Sequence, residues 1–373
     1  MNITFITTVQ HNVGDDFVRE GLKYILQSAL AERELHFTNI HKHSPVSARY
    51  GFEWLRSNKL GLPVDRLLPL ALSKDRLLEA DLVVQSGAPV YWHHDQAGAH
   101  CADNEWYRPL IKRRFSRVSG KGVRLFNLAA GTCQQYDSDG SEFMTCSKCS
   151  AYIKQLFSQC EVTTVRDDLS RNVLAGYGLD APVIPCSSIF APESLGVPPK
   201  AGEYVALNYM HGGGHYAFQK DIDTRAFHEA FARLYAELTK RERVVLVCHD
   251  AKEERLARTI DANAAIFSAG HDYRRYVEFY ANAKYGIVNR VHAAFILAGL
   301  GKPSLVIGND SRARMSNKIN LQSIFVGDAT GDVLIEASLS LSRFSREYPD
   351  VMRQIKTVSL SQYVEAISPA LVR

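Results

Sequence analysis

Short apolar runs alternate along nearly the whole chain with longer stretches whose apolar residues recur at helical spacing. The runs predict strands over 3–9, 34–40, 81–85, 123–128, 162–165 and 183–185, and the longer stretches predict helices over 15–30, 104–118, 150–158 and 168–175. Residues 58–78 read as irregular or helical. The stretch APESLGVPPK, 191–200, has the composition of a linker. A second series follows: strand 204–209, helix 224–239, strand 244–248, helices 252–260 and 273–282, strand 286–288, helix 291–300 and strand 304–307. Such alternation predicts parallel sheets covered on both faces. The expected architecture is α/β, with two Rossmann-like domains, 1–196 and 203–373, facing a cleft.

Within the second series, Arg290 and His292 flank a helix start at the carboxyl end of a strand, and Gly299 and Gly301 close that helix. Open parallel sheets bind ligands at that edge. Free N–H groups and the helix dipole there favour anions. The plain structural alternative pairs Arg290 with a surface carboxylate and lets His292 cap its helix. The next strand ends in a basic loop with Arg312, Arg314 and Lys318, so two neighbouring strand ends offer cations to one place. A phosphate or carboxylate there would receive charge-assisted hydrogen bonds; a solvated loop is the alternative for Arg312 and Arg314. In TTVRDDLSRNVL, 163–174, Arg166 stands at a strand end before a helix that Asp167 or Asp168 can cap. A weak surface Arg–Asp pair is the alternative. In HNVGDDFVREGLKYIL, 11–26, Asn12 and Gly14 belong to a tight strand-to-helix turn, with Asp15 as the expected cap. The GxGxxG fingerprint and the Walker A motif are absent, so no nicotinamide cofactor is expected.

Other segments carry acceptor and metal chemistry. Tyr91 and Trp92, in GAPVYWHHDQAGAH, offer aromatic faces to a sugar ring, and His93, His94 and His100 stand beside them as substrate contacts or metal ligands. The glycine loop HGGGHY brings His211 and His215 within reach of a ligand, or forms a mobile surface loop. Cys133, Cys146, Cys149 and Cys160 cluster in an insertion, 132–160, that contains a CxxC. They match a structural zinc site in number, with unligated thiols as the alternative.

Composition narrows the class. With 46% hydrophobic and 23% charged residues and no low-complexity tract, the chain reads as a soluble globular protein. A net charge of +4 is too small to argue for nucleic acid and allows a locally basic anion site. No apolar run reaches the length of a membrane span, no basic leader precedes the first strand, and the cysteine count of 7 is odd, so a cytoplasmic setting is expected.

Three motifs, in order, resemble the polysaccharide pyruvyl transferases: NVGDD before the first helix, VRDDLS, and YANAKYGIVNRVHAAFILAGLGKPSLVI. The resemblance implies a GT-B-like fold and transfer of a pyruvyl group from phosphoenolpyruvate to the hydroxyls of a sugar or lipid-linked glycan, giving a ketal. It carries the family's donor-binding Arg and His onto Arg290 and His292, and its V-R-D arginine onto Arg166. The sequence departs from the family where QSGAP replaces a glycine-rich segment, where PCSSIF closes the first domain, and where GNDSRARMSNK lies near the end. The chemistry implied needs no metal. His292 is the expected acid and base, its pKa lowered by the helix start and restored by bound anions. A nucleotide-sugar glycosyltransferase and a catalytically inactive relative are the alternatives.

Overall fold

The computed structural model describes residues 1–7, 12–41, 80–87, 89–93, 122–214 and 222–371. The expected segments 58–78 and 104–118, and His94, His100 and His215, lie outside the described residues.

The apolar runs become two parallel sheets. In the first, β1 (Asn2–Thr7), β2 (His36–His41), β3 (Leu82–Ser86), β4 (Pro89–Tyr91) and β5 (Arg124–Thr132) lie in the order β2-β1-β3-β5-β4, with β6 (Val162–Val165) also paired to β5. In the second, β7 (Tyr204–Asn208), β8 (Val244–Cys248), β9 (Ile266–Ser268), β10 (Ala283–Val288), β11 (Ser304–Gly308) and β12 (Ser323–Phe325) run β12-β11-β10-β7-β8-β9. Strands β3, β7, β8 and β11 are buried at every position, and β1 at every position after Asn2, as strands covered on both faces must be. Chain order reverses between β1 and β3 in one sheet and between β7 and β10 in the other. Crevices open at the carboxyl ends of such reversals.

Helix α1 (Val13–Ala29) follows β1. Its cap is Asn12, whose side chain accepts from Gly14 N, and not the expected Asp15, which sits buried in the first turn. Helix α2 (Ser147–Gln159) precedes β6, and α3 (Asp168–Ala175) follows it, capped by Asp167 through Ser170 N. The second sheet carries α4 (Thr224–Thr239), α5 (Ala251–Ile260), α6 (Tyr273–Ala281) and α7 (Val291–Gly299). Helices α8 (Gly331–Phe344) and α9 (Tyr348–Leu371) end the described chain.

The two sheets share buried material. Helix α7 is apolar all round and is buried from Ala293 to Ala298, which suits a helix with protein on every side. Phe295 and Ala298 join the core of the first sheet, while Val13 and Phe17 of α1 join that of the second. Between them runs the PCSSIF segment. A Cβ on Gly21 would lie 1.8 Å from Ser187 O, and one on Gly299 would lie 2.4 Å from Ile189 O. Only glycine lets α1 and α7 approach this backbone so closely. The linker-like stretch is itself packed: Ala191–Ser194 is a helical turn, and Ala191, Pro192 and Val197 are buried. Helix α7 ends in a Schellman turn, with Gly301 at φ 70°, Gly301 N donating to Ala298 O and Lys302 N to Leu297 O. Helix α9 returns to the first sheet, where Met352, Tyr363, Ile367 and Leu371 share a core with Ile3 and Phe5, and Tyr363 Oη donates to Pro185 O at 3.0 Å.

Candidate active site

Three chain segments meet where the sheets face each other. Arg166 leaves the carboxyl end of β6, its N donating to Ala130 O at 2.9 Å, and its side chain is fully buried. The guanidinium lies against Gly131: a Cβ there would come within 2.5 Å of Arg166 Nε. Nη1 lies 3.1 Å from His292 Nε2 and 3.7 Å from Cys186 Sγ. Among the described residues, Nε and Nη2 have no hydrogen-bond partner and Arg166 forms no ion pair. The surface Arg–Asp alternative therefore fails: Asp167 spends its carboxylate on Ser170 and Thr132 instead.

His292 sits in the first turn of α7 and keeps some exposed surface, while both ring nitrogens face protein. A Cβ on Gly14 would lie 2.5 Å from His292 Nδ1, so the imidazole rests on the amino end of α1. Burial, and then the charges of Arg166, Arg312 and Arg290, hold its pKa well below the usual imidazole range. The ring is neutral at neutral pH. Because an arginine can only donate, Nε2 accepts and the proton resides on Nδ1.

Arg290 takes a different position from the one expected. As the Ncap of α7 it donates its N to Asn208 Oδ1 at 2.9 Å, while Nε donates to Glu253 Oε1 at 2.7 Å and Nη2 to Asp250 Oδ2 at 3.0 Å. Glu253 is buried, which raises its pKa; it also accepts from Asn208 Nδ2 and His249 N. Arg290 is thus held by carboxylates, and its positive charge reaches His292 through space. Arg312 is likewise engaged, bidentate on Asp310 at 2.8 and 2.6 Å. Arg314 Nη2 donates to Ser138 O, and Lys318 Nζ to Asp168 Oδ1. These last two bridge the sheets and line a cavity of about 280 Å³ with Asp137, Asp167, Asp168 and Ser311. Above it, Ser311 N donates to Gln134 O and Gln134 N to Ser311 Oγ, closing a short antiparallel bridge at Gln135 and Asp310.

The aromatic platform is revised. Tyr91 is fully buried, its hydroxyl accepting from Asn127 Nδ2 at 3.2 Å, and burial raises its pKa; no face is left for a sugar. Trp92 is half-buried at the end of β4 and His211 is exposed after β7. The four-cysteine set does not assemble. Cys133 is buried beside the arginines, Cys160 caps the far end of α2, and burial raises both thiols. Cys146 and Cys149 meet His93 instead. Pattern reading missed Asp250, Glu253 and Asn208, although HDAKEE after β8 marks another strand end with carboxylates.

A family profile for "Polysaccharide pyruvyl transferase" matches residues 12–311, which contain Asn12, Gly14, Arg166, Arg290 and His292. The chain belongs to the polysaccharide pyruvyl transferase family. It is accordingly a transferase. No curated protein matched in sequence. Among solved structures, the chain is similar to the UDP-GlcNAc 2-epimerase of Neisseria meningitidis, at 10% identity and TM-score 0.55, with 100% of each chain covered. It is also similar to S. aureus MnaA, at 11% identity and TM-score 0.54, covering 94% of this chain and 90% of that one. A putative UDP-N-acetylglucosamine 2-epimerase of Listeria monocytogenes gives 10% identity and TM-score 0.53, covering 95% and 90%. At such identities the likeness establishes the GT-B-type fold of this family member and nothing of its substrates. No helix among its described residues is long and apolar enough to cross a membrane.

Proposed function

We propose that the chain transfers the pyruvyl group of phosphoenolpyruvate to hydroxyls of a sugar or glycan, forming a ketal, with Arg166 as the principal donor-binding cation and His292 as acid and base. The observation that carries this reading is a buried guanidinium with two nitrogens unpartnered among the described residues, hydrogen-bonded through the third to a neutral imidazole. A buried cation without a counterion is costly, and an anion that reaches it gains strong charge-assisted hydrogen bonds. The amino end of α1 at Gly14 and that of α7 at His292 add N–H dipoles to the same place.

The reaction balances as follows. A proton is added to the methylene carbon of the donor, and a first hydroxyl attacks the adjacent carbon and loses its proton. The bond from that carbon to the phosphate oxygen breaks, and phosphate leaves. A second hydroxyl closes the ketal, its proton passing to phosphate. His292 must receive one proton and give it to carbon. Burial and the arginines oppose that in the empty site, whereas a polyanionic donor neutralises Arg166 and raises the imidazole pKa towards neutrality. The neighbouring cavity, with Asp168, Ser311 and Lys318 on its walls, suits a polyhydroxyl acceptor.

A donor screen tests the reading. Phosphoenolpyruvate should raise the melting temperature, and phosphate release should require a glycan with paired hydroxyls. Stabilisation by nucleotide sugars with none by phosphoenolpyruvate would overturn it.

A further inference from the structure

We infer that Cys146, Cys149 and His93 form a binding site for a zinc-class divalent cation. Their ligand atoms all lie within 4.8 Å of one another, and Cys149 Sγ stands 3.5 Å from His93 Nδ1. Zinc bonds of about 2.3 Å to sulfur and about 2.0–2.1 Å to nitrogen give a tetrahedral S···N edge of about 3.5–3.6 Å. The observed separation already has that length.

Local structure favours the ligand state. Cys146 is the Ncap of α2, with no side-chain capping bond, and Cys149 lies in the first turn. Both thiols therefore face the positive end of a helix dipole, which favours thiolates. Neither is disulfide-bonded. Phe143 packs on the His93 ring at 5.9 Å, and Gln134 Nε2 donates to the backbone O of His93 at 3.2 Å, so the ring meets one neighbour and the backbone that carries it is held by another. On metal binding the two thiols would release their protons to solvent and Nδ1 would give its lone pair, leaving the ring proton on Nε2. The fourth position would be taken by water or by substrate, as in sites with three protein ligands.

The consequence is architectural. His93 follows Trp92 just past the end of β4, whereas the thiols belong to the Ncap and first turn of α2. A shared cation would lock the end of β4 to the segment 132–160, whose Gln134 touches Ser311 across the sheets. The inference stands apart from the donor reading, since metal content is measured without turnover.

The full chain, purified under reducing conditions, should contain about one zinc per molecule by mass spectrometry of the metal. Replacing zinc with cobalt(II) should give intense tetrahedral visible bands and a thiolate charge-transfer band. Cys146→Ser, Cys149→Ser and His93→Asn should each lose most of the bound metal, and Cys160→Ser should retain it. Where a variant fails to fold, the cobalt spectrum of the unsubstituted protein decides. A metal-free protein whose cobalt complex lacks the thiolate band, metal retained in the Cys146→Ser/Cys149→Ser double variant, or a Cys146–Cys149 disulfide in the reduced preparation would overturn the site.

Discussion

Replacing Arg166 by Met separates stability from function. Arg166 is fully buried, and among the described residues its Nε and Nη2 lack partners and its remaining polar contacts are with neutral groups, His292 and Cys186. Removing an uncompensated buried cation for an apolar side chain of similar length is neutral or stabilising, by up to about 4 kcal/mol. Loss of the Nη1 contacts offsets about 1 kcal/mol of that. The ligand-free variant should melt at the same temperature or a few degrees higher. Donor binding should move the other way. Each charge-assisted hydrogen bond contributes about 1.5–3 kcal/mol, so Nε and Nη2 together supply about 3–6 kcal/mol, roughly a 10²- to 10⁴-fold loss of affinity when removed. Thermal melting with and without phosphoenolpyruvate, with calorimetric titration, measures both. A marked fall in the ligand-free melting temperature with an intact donor-induced shift would show that the guanidinium holds the fold and not the donor.

The remaining predictions concern its neighbours. His292 is neutral in the folded state with a pKa below its unfolded value, so the unfolded chain takes up the proton first as pH falls below about 6.5. Ligand-free protein should lose up to about 1.4 kcal/mol per pH unit there through this residue, and His292→Gln should remove that part of the slope in denaturant titrations; an unchanged slope contradicts the assignment. Arg290→Ala strands the buried Glu253 carboxylate and should destabilise by about 3–5 kcal/mol, with most of the loss recovered in Arg290→Ala/Glu253→Gln. An equal loss in the double variant would mean that the ion pair is not what Arg290 provides. Gly14→Ala places a methyl 2.5 Å from His292 Nδ1. It should lower phosphate release by about 10²-fold with little change in stability, since a small displacement of a catalytic group costs that much.

Much of the framework was legible in the sequence because period and turn chemistry are local. Helix 224–239, strand 162–165 and helix 168–175 fall where the pattern put them. That Arg166 and His292 each stand at a strand-to-helix junction was legible for the same reason, since each parallel sheet turns such junctions to its carboxyl edge; that the edges of two different sheets bring them to 3.1 Å is not a local matter. Partner choice was not legible either. Arg290 finds Asp250 and Glu253 because β7 lies between β8 and β10, a matter of sheet order that no local pattern carries. Tyr91 looked like a platform residue, but β4 pairs with β5 and turns the ring into the core. Cysteine spacing suggested a set of four, whereas β4 delivers His93 to the CxxC and leaves Cys133 and Cys160 apart. The return of α9 to the first sheet likewise depends on an apolar face whose partner lies at the other end of the chain.

The state of the His292 imidazole tests the central claim most directly. Nitrogen-15 NMR of protein labelled in histidine, with the resonance assigned by His292→Gln, reads both the tautomer and the pKa. The account predicts a neutral ring protonated on Nδ1 in the ligand-free protein at neutral pH, and a pKa that rises when phosphoenolpyruvate binds. A ring protonated on Nε2, or a titration indifferent to the donor, would contradict it.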